Sequence, residues 1–283
     1  MTSTQAEIDR SYSVSNEFFK LWLDENMHYT SAAFDRDDMT LEEAQENKAR
    51  VLYDFAELDD TKTVLDIGCG WGSAIDCRLR FGVREAHGIT LSTEQLAYRH
   101  ERGLPADKAK FILVDYAEYE PAEKYDALIS VEMIDHPARP PRRATGSPST
   151  STAPTSTGWP GGSSPAPPSA SGHPAQPHPA RPQGPRRPGV HRRRHLPGRP
   201  QPRIEELVQA ISPNWELERL IMRRRDYGKT TAEWLRRMRL HEQTIRSTWG
   251  DQLFDDYERY LDTCVRGFAN HWSGDVQMKL RRI

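Results

Sequence analysis

Cysteine is scarce in this 283-residue chain, which has only Cys69, Cys77 and Cys264. No two of them form a Cys-x-x-Cys pair or join a His/Cys cluster, so neither a metal site nor a disulfide framework is indicated. Reduced thiols in a cytoplasmic protein are expected. Long apolar runs are missing as well, and hydrophobic residues make up 36% of the chain, so no membrane span is expected. The first ten residues, Met1 to Arg10, are polar and lack a signal-peptide pattern, so export is not expected either. Outside one segment proline is rare: residues 137–203 hold 18 of the 21.

That segment also distorts the charge balance. The formal net charge of −2 includes 11 Arg from residues 137–203, which carry no Lys, Asp or Glu. Without them 28 basic residues face 41 acidic ones, and so acidic a body argues against nucleic acid as its partner. The segment lacks Ile, Phe, Tyr, Met, Asn and Cys and has one Leu, one Val and one Trp. Such a composition is expected to be disordered, with no helix or strand. It reads as a natural linker, as a basic tether for acidic partners, or as an out-of-frame stretch of a GC-rich gene. The frame-shift reading is preferred. Pro, Ala, Arg, Gly, Ser, Thr and His are what GC-rich codons give in the wrong frame, and the segment falls where an α/β domain needs its later strands.

Four parts follow. Residues 1–60 read as an N-terminal helical cap, with an apolar cluster at Phe18, Phe19, Leu21, Trp22 and Leu23. There Thr40-Leu41-Glu42-Glu43 makes a capping box for a helix running to about Ala56. Residues 61–136 alternate strand (Thr63–Ile67, Ala86–Leu91, Lys110–Val114, Ala127–Val131) with helix (after the glycines, and Thr93–Arg102), the pattern of a doubly wound, mostly parallel, Rossmann-like sheet. Residues 137–203 are the Pro/Arg-rich segment. Residues 204–283 regain globular composition and read as mainly helical. Ile204–Ile211 is amphipathic, Trp215–Ile221 reads as a strand, and Thr231–Trp249 and Gln252–Trp272 read as helices.

The chemistry concentrates where the first strand ends, in Asp66-Ile67-Gly68-Cys69-Gly70-Trp71-Gly72. Glycines there let the backbone pass close under a ligand with φ > 0, and the next helix offers unpaired N–H groups to an anion. The spacing is GxGxG, not the GxGxxG of dinucleotide sites. With Asp66 two residues ahead, it suits the amino-acid end of S-adenosylmethionine (SAM). Thr90 and Gln95, around the end of the second strand, offer a hydroxyl and an amide to ribose or adenine; Ser92-Thr93-Glu94-Gln95 reads equally as a plain helix start. Asp115 and Tyr116 could hold the adenine amine and cover its ring, or simply end a strand in solvent. Tyr12, Tyr29, Thr30 and Ser31 bring hydroxyls near the N-terminal helices. Asp135 and His136 follow the fourth strand, where catalytic groups collect in such sheets.

Taken together, Tyr12–Phe19, Tyr29–Phe34, Asp38–Gln45, Val64–Ser73, Gly88–Gln95, Asp226-Tyr227, Trp234 and Tyr257–Leu261 resemble the cyclopropane fatty acid and mycolic acid synthases, a family of class I SAM-dependent methyltransferases. The resemblance covers residues 10–136 and about 204–283. The unmatched middle has roughly the length that the family fills with ordered elements. The resemblance implies methyl transfer from SAM to a carbon–carbon double bond of an unsaturated lipid-like or isoprenoid-like substrate, with peripheral membrane contact and a bound bicarbonate as proton acceptor. It implies SAM binding by Tyr29, Thr30, Gly68, Gly70, Gly72, Thr90 and Gln95. It places Tyr12 and Tyr227 at the reaction pocket, Asp135 where the family has a glutamate near bicarbonate, and Ser31 where it usually has Cys. Tyr116-Ala117 replaces a usual Trp-Glu. Bicarbonate is therefore altered on at least two sides of its pocket, and a methyl-branched or methylated alkene becomes an alternative product. The rival readings are a small-molecule O- or N-methyltransferase, and an inactive, non-catalytic product of the frame error.

Overall fold

The computed structural model describes residues 14–102, 107–133, 169–172 and 202–283, with the strand alone for 169–172. In chain order the elements are α1 (Asn16–Lys20), α2 (Leu41–Phe55), β1 (Thr63–Ile67), α3 (Ser73–Arg80), β2 (Glu85–Thr90), α4 (Thr93–Arg102), β3 (Ala109–Leu113), β4 (Ala127–Val131), β5 (Ser169–Gly172), α5 (Ile204–Ile211), β6 (Trp215–Met222), α6 (Arg224–Leu240), α7 (Glu242–Trp249), α8 (Asp251–Ala269) and β7 (Val276–Arg282). The strands form one sheet in the order β3-β2-β1-β4-β5-β7-β6. All pairings are parallel except those of β7, which runs antiparallel to β5 and β6.

Strand β1 lies inside the sheet, between β2 and β4, with Val64, Leu65 and Asp66 buried. Near-continuous apolar character is what a parallel strand covered on both faces requires. Leu52, Val64, Ile75, Ala86 and Ile129 belong to the core beneath it. A second core is aromatic. It joins Phe18, Phe19 and Trp22 of the N-terminal region to Tyr227, Trp234, Phe254 and Tyr257 of the C-terminal helices. Phe18 sits edge-on to Tyr257 at 4.7 Å and to Trp249 at 5.8 Å. The two ends of the chain are thus locked together by the same packing. Arg237 of α6 adds a two-pronged ion pair to Glu42 of α2, at 2.6 and 2.9 Å.

The doubly wound architecture and the Thr40 capping box appear as expected: the Glu43 amide donates to Thr40 Oγ1, and the Thr40 amide to Glu43 Oε2. Several expectations are corrected. Residues 21–40 are not helical. The helix expected over Thr231–Trp249 begins at Arg224 and breaks at His241, whose backbone (φ −106°, ψ 15°) serves as a cap for both α6 and α7. Strand β7 had no counterpart in the sequence reading. The segment expected to carry no strand contributes β5, which bridges β4 and β7. The physical reason is that a ladder is made by backbone N–H and C=O groups, which Ser-Ala-Ser-Gly supplies as well as any apolar stretch. The rest of that segment through residue 201, with the disorder expected of it, lies outside the described residues.

Replacing Phe18 by Ala should cost about 3–5 kcal/mol, as for other fully buried aromatics, whereas Thr40→Ala should cost only about 1 kcal/mol through its cap. Denaturant unfolding of both variants measures this. Equal, small losses would show that the aromatic seam does not hold the chain ends together.

Candidate functional site

The glycine loop connects β1 to α3 at the carboxyl ends of the parallel strands. Gly68, Gly70 and Gly72 all have left-handed backbones, at φ 80°, 56° and 81°. At two of them the space is also closed to a side chain. A Cβ on Gly68 would lie 2.5 Å from Met133 Cγ, and one on Gly72 would lie 2.6 Å from Phe111 and 2.7 Å from Arg99. Gly70 differs, since a Cβ there would meet nothing within 4 Å. The chain therefore presents bare backbone to open space at the middle of the turn, as a cradle for a close-lying ligand needs.

Ion pairs hold the loop from below. Asp66, 2% exposed, receives Arg78 Nη1 at 2.6 Å, so its carboxylate is committed beneath the loop to α3. Arg99 of α4 grips Asp76 of α3 with two bonds of 2.8 Å. From above, Trp71 packs on Phe19 at 5.2 Å and its indole N–H donates to Asn16 Oδ1 at 2.8 Å. The Ser73 hydroxyl donates to the Asn26 carbonyl. Segment 14–31 thereby roofs the loop.

Thr90 and Gln95 meet: the Thr90 hydroxyl donates to Gln95 Oε1 at 2.9 Å. The Gln95 amide also donates to Ser92 Oγ at 3.3 Å, so this stretch starts its helix as well. The Val114 amide donates to the Thr90 carbonyl, bringing the end of β3 alongside. Asp115 accepts the Ala117 amide at 2.9 Å, and Tyr116 is 44% exposed beside it. Tyr29 packs among Phe19, Trp22 and Trp234. Thr30 is gripped by α2, its carbonyl by Gln45 at 2.9 Å and its hydroxyl by Lys48.

Ser31 and Tyr227 converge on a residue that the sequence reading passed over. Directly after β4, Glu132 has a left-handed backbone (φ 57°), a conformation that costs a non-glycine residue about 1–3 kcal/mol. Its Oε1 accepts the Ser31 amide at 2.8 Å and its Oε2 accepts the Tyr227 hydroxyl at 3.1 Å. Tyr227 is held by stacking on Phe268 at 4.7 Å. Three more groups were missed. Buried Lys48 is pushed down to about 8 by its burial. The Asp275 carboxyl is pushed up to about 8, by burial first and by nearby Glu132 second, and it bonds the Ser31 side chain. Tyr260 of α8 links Tyr29 to Cys264 by hydrogen bonds, and burial raises the Cys264 thiol to about 11. The available signal for Glu132 was its place at the strand end. The sequence pattern favours Asp135, three residues later. Tyr12, Asp135 and His136 lie outside the described residues.

Comparison with known proteins fits this geometry. Residues 1–140 match the family model of mycolic acid cyclopropane synthetase. Over 140 residues the chain is 41% identical to cyclopropane mycolic acid synthase 2 of Mycobacterium bovis, covering 44% of this chain and 42% of that protein. It is 39% identical over 142 residues to a probable fatty acid methyltransferase of Pseudomonas putida, covering 47% of this chain and 35% of the other. The matches thus span less than half the length of these relatives. Among solved structures, the cyclopropane synthase MmaA2 of Mycobacterium tuberculosis superposes with a TM-score of 0.78 at 20% identity, over 99% of both chains. Coclaurine N-methyltransferase, bound to N-methylheliamine and S-adenosylhomocysteine, gives 0.72 at 15% identity, over 100% of this chain and 83% of that one. The fold is that of the Rossmann-like, class I SAM-dependent methyltransferases. Residues 1–140 are similar to the mycolic acid cyclopropane synthetase family.

The Asp275 carboxyl sets a pH test. Its ordinary value is 3.8, so above that pH the unfolded chain has released a proton that the folded chain keeps. The stability this contributes is complete below about pH 4 and is lost as pH rises to about 8. The Tm of Asp275→Asn should therefore gain on the wild type between pH 5 and 8. A pH-independent gap would show that Asp275 does not titrate in this window.

Proposed function

We propose that this protein is a SAM-dependent C-methyltransferase of the cyclopropane synthase type, acting on a carbon–carbon double bond of an unsaturated lipid-like substrate. One observation carries the reading most directly: a left-handed GxGxG loop, open at Gly70, shares one end of the sheet with a carboxylate and a tyrosine. These residues fit the cofactor. Bound SAM supplies an electrophilic methyl on a sulfonium. Gly68, Gly70 and Gly72, with the α3 amides, would take its amino-acid end. Tyr29 and Thr30 would close over it, Thr90 and Gln95 would meet the ribose or adenine, and Asp115 and Tyr116 would flank the ring. Asp66, through Arg78, would set the loop rather than touch the ligand. Tyr12, Ser31, Asp135 and Tyr227 would line the reaction pocket, orienting the alkene and shielding its developing positive charge.

Bicarbonate fits less well. The Ser31 amide and the Tyr227 hydroxyl, donors on the side of the pocket where it would sit, already have Glu132 as their acceptor. Among the described residues no helix is long and apolar enough to cross a membrane. Peripheral contact of a cytoplasmic enzyme with a lipid surface is the arrangement that goes with the proposed substrate.

A second reading has its own support. The family model ends at residue 140, just inside the Pro/Arg-rich segment that starts at residue 137, as it would if a frame error had replaced the middle of an active parent. A thermal melt with and without SAM separates the two, beside a chain with the frame restored. At 100 times its Kd, SAM should stabilise a competent fold by about 2.7 kcal/mol. If the chain melts cooperatively and SAM raises its Tm, labelled methyl should pass from SAM to vesicles of unsaturated phospholipid. If only the restored chain responds, the activity belongs to the parent.

A further inference from the structure

We propose that Glu132 is the fixed anion of the reaction centre: it faces the positive charge that methyl transfer creates on the substrate and accepts the proton that leaves. This rests on the methyltransferase reading above.

Position comes first. Glu132 follows β4 immediately, and β4 pairs with β1, whose end carries the glycine loop. The next residue, Met133, packs against Gly68 so closely that no Cβ fits there. The left-handed turn at Glu132 is therefore clamped to the loop, and the carboxylate belongs to the end of the sheet where the loop opens. Strain held at one residue beside a binding loop is characteristic of groups that must be aimed.

Orientation comes second. Each carboxylate oxygen is fixed by a different part of the chain, Oε1 by the roof through Ser31 and Oε2 by α6 through Tyr227. Both contacts use Glu132 as the acceptor, the hydrogen bonding of the base form that takes up a proton. Lys48 from α2, Tyr260 and Cys264 from α8, and Asp275 ahead of β7 are the other titratable groups that act on it.

The step balances without a further reactant. The alkene π pair forms a bond to the methyl carbon, the methyl–sulfur bond breaks with its pair going to sulfur, and the neighbouring carbon becomes positive. Glu132 then takes a proton, either from the transferred methyl, whose C–H pair can reach the cationic carbon to close a three-membered ring, or from a carbon next to the cation, whose pair gives a double bond. The pair left behind closes the ring or forms a double bond, and the resulting carboxylic acid later releases its proton to solvent.

Binding tests this apart from turnover. The full chain is loaded with S-adenosylhomocysteine and titrated calorimetrically with decyltrimethylammonium, a cationic amphiphile, and with decanol, its neutral counterpart. Glu132→Gln should weaken the cation about tenfold or more while leaving decanol within about twofold, and Glu132→Asp should fall between. A purely structural role would shift both ligands alike. Turnover on unsaturated phospholipid should be unchanged when bicarbonate is added to CO2-free buffer, and should fall by about 100-fold or more in Glu132→Gln, as for loss of a general base. Equal cation binding by wild type and Glu132→Gln overturns the proposal, as does a wild-type rate that depends on bicarbonate. If the wild type binds the cation through Glu132 but methylates no alkene, the methyltransferase reading fails and the proton-accepting role falls with it. If the wild type is active and Glu132→Gln is equally so, Glu132 alone is wrong.

Discussion

Three left-handed glycines in five residues are a costly path for a backbone, and the surroundings of the loop hold that path in place. Below it, Asp66–Arg78 ties β1 to α3 and Asp76–Arg99 ties α3 to α4. Above it, Trp71 and Ser73 fasten the loop to the N-terminal segment. Removing one partner of a buried ion pair strands the other charge away from water, so such pairs matter more for fixing one geometry than for net stability. The loop is thereby preorganised before any ligand arrives.

The roof over the loop depends on the far end of the chain. Segment 14–31 is too short and irregular to hold its shape alone, since α1 has only five residues, well below the length at which an isolated helix is stable. Its aromatic residues are instead buried against α6 and α8. The α6 residue Thr230 accepts the Ala32 amide at 3.0 Å, one residue beyond Ser31. The tyrosine and serine of the centre are thus placed by contacts between segments about two hundred residues apart in sequence.

This explains which features were legible. The capping box and β1 with its glycine turn are local, so each is written in a few consecutive residues. Strand β7 alternates Val276, Met278 and Leu280 against Gln277 and Lys279, but a short alternating run after a long helix is easily read as its frayed end. The break at His241 carries no Gly or Pro to mark it. Strand β5 has no side-chain signal at all, because the neighbouring strands supply its reason to exist. Glu132, Lys48 and Asp275 were missed for the same cause: each is an ordinary polar residue in sequence, and only tertiary contact makes it unusual.

The centre's charges follow from those contacts. Two carboxyl groups close together in a dry environment do not both ionise cheaply, so one keeps its proton. Burial decides which. Asp275, 1% exposed, is pushed up to about 8 and carries the proton at neutral pH. Glu132 accepts hydrogen bonds from an amide and a hydroxyl, one at each oxygen, which orient it. Lys48, lowered to about 8 by burial, acts electrostatically on both Asp24 and Glu132. Asp24 is itself bound to His28 at 2.8 Å. The arrangement leaves one oriented carboxylate near the loop, with its compensating cation on α2 behind the roof. That polarity favours a positive charge appearing at the mouth of the loop, which is what methyl transfer to an alkene would create.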